Sequence, residues 1–164
     1  MVLYIFTIWI IQLKSEAMLK ILIVDDEKII RKAMGQMFKK YGECKFADCG
    51  QTAIDGFKAG LEKGEAFDLV VLDIALEDKS GLEVLKAIRS IEGASAVKKA
   101  DRSKIIMATG NQKLKMVKAC IDAGCDNYIL KPLKSADVAQ ALEKMGIPAL
   151  ETPAPDGSDS PDPA

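Results

Sequence analysis

The side chains able to do chemistry follow short apolar runs. Asp25 and Asp26 come after LKILIV, Asp48 after CKFA, Asp73 after FDLVVL, Thr109 after IIMA and Lys131 after NYIL. If the runs that end in Asp25-Asp26 and Asp73 are neighbouring strands, about 4.8 Å apart, three carboxylates share one small volume. Carboxylates that close repel, and one is pushed toward protonation unless a cation joins them. A hard divalent cation such as Mg²⁺ suits an all-oxygen set of one or two carboxylates and waters. An Asp carboxylate can also attack phosphorus as a nucleophile, in a transfer that demands charge neutralisation more than acid–base chemistry. Lys131 offers a positive charge to one phosphoryl oxygen and Thr109 a hydroxyl donor to another. Each residue alone has a plainer reading: Asp25 or Asp26 as a helix cap, Asp73 and Thr109 as turn residues, Lys131-Pro132 as a loop. Their joint placement after apolar runs, with complementary chemistry, favours a site.

The elements that must position them are legible from periodicity. Strands are predicted at Leu19–Val24, Cys44–Asp48, Phe67–Leu72, Ile105–Ala108 and Asn127–Leu130. Helices are predicted at Glu27–Lys40 on an Ile30, Met34, Met37 stripe, then Gly50–Lys63, Gly81–Ile91, Gln112–Ala123 and Ser135–Lys144. Ser135 is expected to cap the last helix. Strands alternating with helices specify an α/β fold, a parallel sheet covered on both faces. In the doubly wound, flavodoxin-like order 2-1-3-4-5, strands one and three are neighbours and function sits at the strand carboxyl ends.

Composition narrows the chemistry further. The 164 residues carry 23 Lys and Arg against 24 Asp and Glu, a balance that argues against a nucleic-acid partner. There is no histidine, which excludes a Ser-His-Asp triad, a His-ligated metal and a phosphohistidine within this chain. Cys44, Cys49, Cys120 and Cys125 form two C-x4-C pairs, read as reduced thiols of a cytoplasmic protein. No phosphate- or dinucleotide-cradling glycine motif occurs. Gly56, Gly60 and Gly64 have GxxxG spacing in a charged segment and are read as helix fraying and capping. Lys113, Lys115 and Lys118 are read as a solvated basic stripe.

The ends differ from the middle. Residues 1–17 open with MVLYIFTIWIIQL, too short to span a bilayer, without a positive leader before it or a cleavage site after it. Three readings stay open for it: a mis-assigned start ahead of Met18, an extension packed or covered by a partner, or a membrane-surface anchor. Membrane association of the protein as a whole is not expected. Residues 148–164, rich in Pro, Asp and Ser, are expected to be disordered. The folded middle is placed at residues 18–147.

That middle resembles the receiver domain of two-component response regulators, in the chemotaxis-regulator-like form. ILIVDDE with Asp25-Asp26, VVLDIAL with Asp73, Ser80-Gly81-Leu82, MATG with Thr109 and AGCDNYILKPL with Lys131-Pro132 carry the resemblance. It implies that Asp73 is the phosphoacceptor. It also implies a Mg²⁺ site of Asp25, Asp26, Asp73 and the Ala75 carbonyl. Thr109 becomes the switch hydroxyl, Tyr128 the aromatic that follows it, and the Lys131–Pro132 bond is expected to be cis. One departure stands out: Leu76-Glu77-Asp78-Lys79 replaces the family's frequent Met-Pro and Asp-Gly, loosening the loop and adding negative charge beside the site. The connection Ser90–Ser103 is longer than in many receivers and is read as a surface loop.

The expected function is that of a single-domain response regulator, a signalling protein and not an enzyme. It would take a phosphoryl group from a histidine kinase or phosphotransfer protein and act on a downstream protein. Two rivals differ in class. An Asp-nucleophile phosphatase would want D-x-D after the first strand, which Asp25-Asp26-Glu27 does not supply. A pseudo-receiver would bind partners without ever carrying phosphate.

Overall fold

The computed structural model describes residues 18–110 and 114–147. The two terminal segments, and the predicted start of the fourth helix at Gln112 with Lys113, lie outside the described residues. Five strands, β1 (Leu19–Val24), β2 (Gly42–Ala47), β3 (Leu69–Asp73), β4 (Lys104–Thr109) and β5 (Asn127–Leu130), form one parallel sheet in the order β2-β1-β3-β4-β5. Between and after them run α1 (Lys28–Phe38), α2 (Gly50–Glu62), α3 (Gly81–Ala94), α4 (Leu114–Asp122) and α5 (Ser135–Lys144). The expected doubly wound order is therefore the one formed.

Side chains alternate between faces along each strand, and two separate cores follow. Leu22, Val24, Val70, Leu72, Ile105 and Met107 pack under α2, α3 and α4. Ile21, Ile23, Leu69, Val71, Ile106 and Ile129 pack under α1 and α5. The central strand β3 is buried at every position, which is why it reads as a continuous apolar run and not as an alternating one. Edge strand β2 is more open, with Glu43, Lys45 and Phe46 exposed.

Several local expectations need correction. Ser135 is the first residue of α5 and not its cap; Lys134 holds the N-cap position without a side-chain hydrogen bond. A Ser side chain caps only from outside the first helical residue, and the chain turns one position too early. Strand β2 begins at Gly42, two residues before the predicted start, because its backbone pairs with Leu19 there. The Ser90–Ser103 connection is not a plain surface loop. Helix α3 continues to Ala94, a 3-10 turn follows at Lys99–Asp101, and Glu92 and Ser103 are buried. Gly64 ends α2 with a φ of 72°, as the capping reading of that glycine expects. All four cysteines are free.

Candidate functional site

The alternation that builds the α1–α5 core also aims the site. Beyond Ile21 and Ile23 the same face continues to Asp25; beyond Leu69 and Val71, to Asp73; beyond Ile129, to Lys131. Val24 pairs with Leu72, so Asp25 and Asp73 sit side by side at the carboxyl edge. Asp26, one residue on, joins them from the turn into α1. Ligand oxygens of Asp25, Asp26 and Asp73 all lie within 4.8 Å of one another.

Lys131 bridges two of these carboxylates. Its Nζ donates to Asp25 Oδ2 at 2.6 Å and to Asp73 Oδ2 at 2.7 Å. Burial by itself would lower the pKa of this ammonium. The hydrogen bonds and charges of Asp25 and Asp73 outweigh burial and hold it above the ordinary lysine value. The remaining oxygens of the pair are also occupied: Asp25 Oδ1 accepts from the Glu27 N–H at 2.9 Å and Asp73 Oδ1 from the Ala75 N–H at 3.1 Å. Asp25 and Asp73 are buried, whereas Asp26 is partly exposed. Three carboxylates against one ammonium leave the pocket two charges negative, with Asp26 toward solvent.

The backbone around these groups is braced. Arg31, in the second turn of α1, donates its Nη1 to the carbonyls of Asp25 and Asp26. Gly81 brings the N-terminus of α3 against the chain at Asp73; its N–H donates to Ile74 O at 2.8 Å. A Cβ at this position would collide with the Asp73 carbonyl oxygen, so only glycine permits the approach. Ser80 precedes it as the cap of α3, in a reciprocal capping box with Glu83. The Ser80 hydroxyl and backbone N–H hold the Glu83 carboxyl below its usual range.

The loop after Asp73 is not loose despite its missing proline. Ala75 and Ser80 form an antiparallel bridge, and the Asp78 carboxylate caps α2, accepting from the Gly50 and Gln51 N–H groups at 2.7 and 2.9 Å. Those bonds, that to Gly50 foremost, hold the Asp78 carboxyl below its usual value. Of the two charges that the sequence counts against the site, Glu77 and Asp78, that of Asp78 is thus engaged with a helix N-terminus. No sequence pattern announces this tie, because it joins residues 28 positions apart.

Thr109 ends β4 and is buried. Its carbonyl accepts from the Lys131 N–H at 2.8 Å. Met107 pairs with Tyr128 and Thr109 with Leu130, so Thr109 and Tyr128 share one face, offset by one pleat repeat. Tyr128 is 45% exposed, whereas Thr109 is buried. The Lys131–Pro132 bond is cis, as expected. Ile29, off the core stripe of α1, is 85% exposed.

Residues 21–143 match the family described as response regulator receiver domain, and the chain belongs to that family. It is 30% identical over 132 residues to hybrid signal transduction histidine kinase L of Dictyostelium discoideum, covering 80% of this chain and 8% of that one. The chain therefore spans less than a tenth of that curated relative. Among solved structures, the CheX-CheY-BeF3-Mg²⁺ complex of Borrelia burgdorferi superposes with a TM-score of 0.70 at 25% identity, covering 82% of this chain and 93% of that one. The receiver domain of the Arabidopsis thaliana histidine kinase CKI1, complexed with Mg²⁺ and BeF3⁻, gives 0.65 at 26% identity, covering 77% and 91%. Among the described residues no helix is long and apolar enough to cross a membrane.

Proposed function

We propose that this protein is a phosphoryl-accepting signalling domain, with Asp73 as the acceptor and a histidine kinase or phosphotransfer protein as the donor. The observation that carries the reading is the cluster itself: three carboxylates with ligand atoms within 4.8 Å, bridged by one lysine at the carboxyl edge of the sheet. The donor set fits Mg²⁺, being all oxygen and net negative, with a partly exposed member in Asp26. Asp25, Asp26, Asp73 and the Ala75 carbonyl would hold the ion. When bound, it supplies the positive charge that lets a phosphoryl group approach a carboxylate.

An Asp73 carboxylate oxygen attacks phosphorus, forming an acyl phosphate. The phosphorus–nitrogen bond of the donor phosphohistidine breaks, and its electron pair leaves with the imidazole. Lys131 is placed to follow the charge, since it already touches Asp73. The phosphoryl group carries about −1.5 to −2 charge where the free carboxylate carried −1, and it brings strong acceptor oxygens. Thr109 supplies the nearest hydroxyl on the adjoining strand end. Its movement toward the phosphoryl group frees space on the face it shares with Tyr128, and the exposed ring can turn into it. That would carry the state of the pocket to the surface of α4, β5 and α5, where a downstream protein can read it. Exposed Ile29, on α1 beside the pocket, is a candidate contact for the donor. The protein acts through such partners and not through turnover of a substrate.

Acetyl phosphate labelling tests the reading. Asp73 should be labelled with Mg²⁺ and not with EDTA, and Asp73→Asn should abolish the label. Equal labelling in EDTA would remove the metal site. No labelling under any condition would favour a pseudo-receiver, and sustained turnover of small phosphate esters an Asp-nucleophile phosphatase.

A further inference from the structure

The outer side of the sheet carries a feature unconnected with phosphoryl chemistry. Between α1 and edge strand β2 lies a groove of about 630 Å³. Its floor is formed by Met18, Gly35, Gly42, Cys44 and Phe46. The Phe46 ring lies against the helix at Gly35, where a Cβ would come within 2.8 Å of it. One side of the ring is thus packed, yet Phe46 remains 53% exposed and Met18 60% exposed. Among the described residues, no strand pairs with the outer edge of β2. An uncovered edge beside an exposed aromatic ring invites association.

The chain itself holds a segment suited to this place. Met18, the first described residue, lines the groove, so residues 1–17 enter the fold at that spot. Eleven of the first thirteen residues are apolar, and most of them are β-branched or aromatic. We infer that the segment Met1–Leu13 folds back through Lys14–Ala17 and covers the groove between α1 and β2 of its own chain. The lengths agree. The four linking residues span at most about 14 Å, enough to reverse the chain and return Leu13 to the Met18 end. Trp9 then lies four residues farther, about 13 Å along an extended strand. Phe46 is likewise four residues from Gly42 on β2. The indole of Trp9 meets the exposed face of Phe46, and a segment rich in strand-forming residues shields the sheet edge.

Trp9 is the only tryptophan of the protein, so its fluorescence reports the segment alone. In the full chain, Trp9 emission should be blue-shifted and protected from acrylamide, unchanged on dilution, with a monomeric mass by light scattering. Phe46→Asp should shift the emission toward that of water-exposed indole. Because that change touches the folded domain, Trp9→Lys gives a second reading. In Trp9→Lys, Cys44 in the groove floor should alkylate about tenfold faster, the factor that corresponds to 1.4 kcal/mol of closure. Cys125, which does not line this groove, should keep its rate. Three results would each overturn the inference: water-exposed emission with unchanged Cys44 reactivity, a blue shift that vanishes on dilution with loss of a dimer, or a blue shift that appears only with phosphatidylcholine–phosphatidylglycerol vesicles. The second would assign the groove to another copy of the chain, the third the segment to a lipid surface.

Discussion

The two ends of the sheet handle charge in opposite ways. At the amino ends of β4 and β5, Arg89 of α3 spends all three guanidinium nitrogens. Its Nε and Nη2 donate to Gly124 O at 2.9 and 2.8 Å, Nη2 also to Asp126 Oδ2 at 2.9 Å, and Nη1 to Glu92 Oε2 and Ser103 O at 2.8 and 2.9 Å. Glu92 in turn accepts from the Ser103 N–H at 2.8 Å, and Asp126 from the Ile105 N–H at 2.9 Å. Lys104 completes the group at 3.3 Å from Asp126, giving two cations and two anions. At the carboxyl ends, three carboxylates meet one ammonium, and Asp26 makes no side-chain hydrogen bond or ion pair among the described residues. A closed, neutral network can only hold elements together. An unbalanced one stores a demand for a cation, and that demand is what a phosphoryl-transfer site requires.

The largest effect should come from opening the closed end. Arg89→Ala would leave Glu92 buried without its cation and should cost about 3–5 kcal/mol in urea unfolding. Asp73 in the folded fraction should still be labelled by acetyl phosphate. A loss below about 1 kcal/mol would mean that the network is ornamental and the comparison wrong.

Next is the response of the open end to a cation. Mg²⁺ at a hundredfold excess over its Kd should raise stability by about 2.7 kcal/mol. Asp26→Asn should remove most of that gain while leaving the metal-free protein at least as stable, since one unbalanced charge is gone. Equal Mg²⁺ stabilisation in both proteins would place the ion elsewhere.

Thr109→Ala sharpens the comparison by separating chemistry from signal. Labelling of Asp73 should persist, because the nucleophile and the carboxylates remain. The ring shifts of Tyr128 on adding beryllofluoride with Mg²⁺, read by NMR, should shrink to a minor fraction of the parent's. Shifts of parental size would show that the signal leaves the pocket by another path.

The smallest effect concerns Asp78. The Gly50 and Gln51 N–H groups hold its carboxyl below the ordinary aspartate value in the folded state, so its contribution is full above the unfolded value. It is lost as pH falls through the lowered folded value. Stability measured from about pH 5 downward should therefore decline less steeply in Asp78→Asn than in the parent. Identical slopes would mean that the cap on α2 contributes nothing.

Much of the pocket could be read along the chain because strand alternation is local. Once Ile21, Ile23, Leu69 and Val71 are recognised as strand positions, parity alone sends Asp25 and Asp73 to one face. The same logic was mute about Arg31, Asp78 and Arg89. Their partners stand 3 to 37 residues away, and a charged residue on a helix looks the same in sequence whether it faces water or a carbonyl. Ser135 failed for a related reason: a cap is defined by where the chain turns, and that turn falls at Lys134.

By itself, then, the sequence determined the alternation of strands and helices, the residues at each strand's carboxyl end, and the absence of histidine chemistry. These follow from hydrophobic periodicity and side-chain type, which act over a few residues. Tertiary structure decided which strand ends became neighbours, that Lys131 bridges Asp25 and Asp73 across β4, and that one end of the sheet closes its charges while the other leaves them open. Those outcomes depend on crossover connections joining residues as far apart as 25 and 131, and only the folded sheet brings such charges close enough for their interaction to matter.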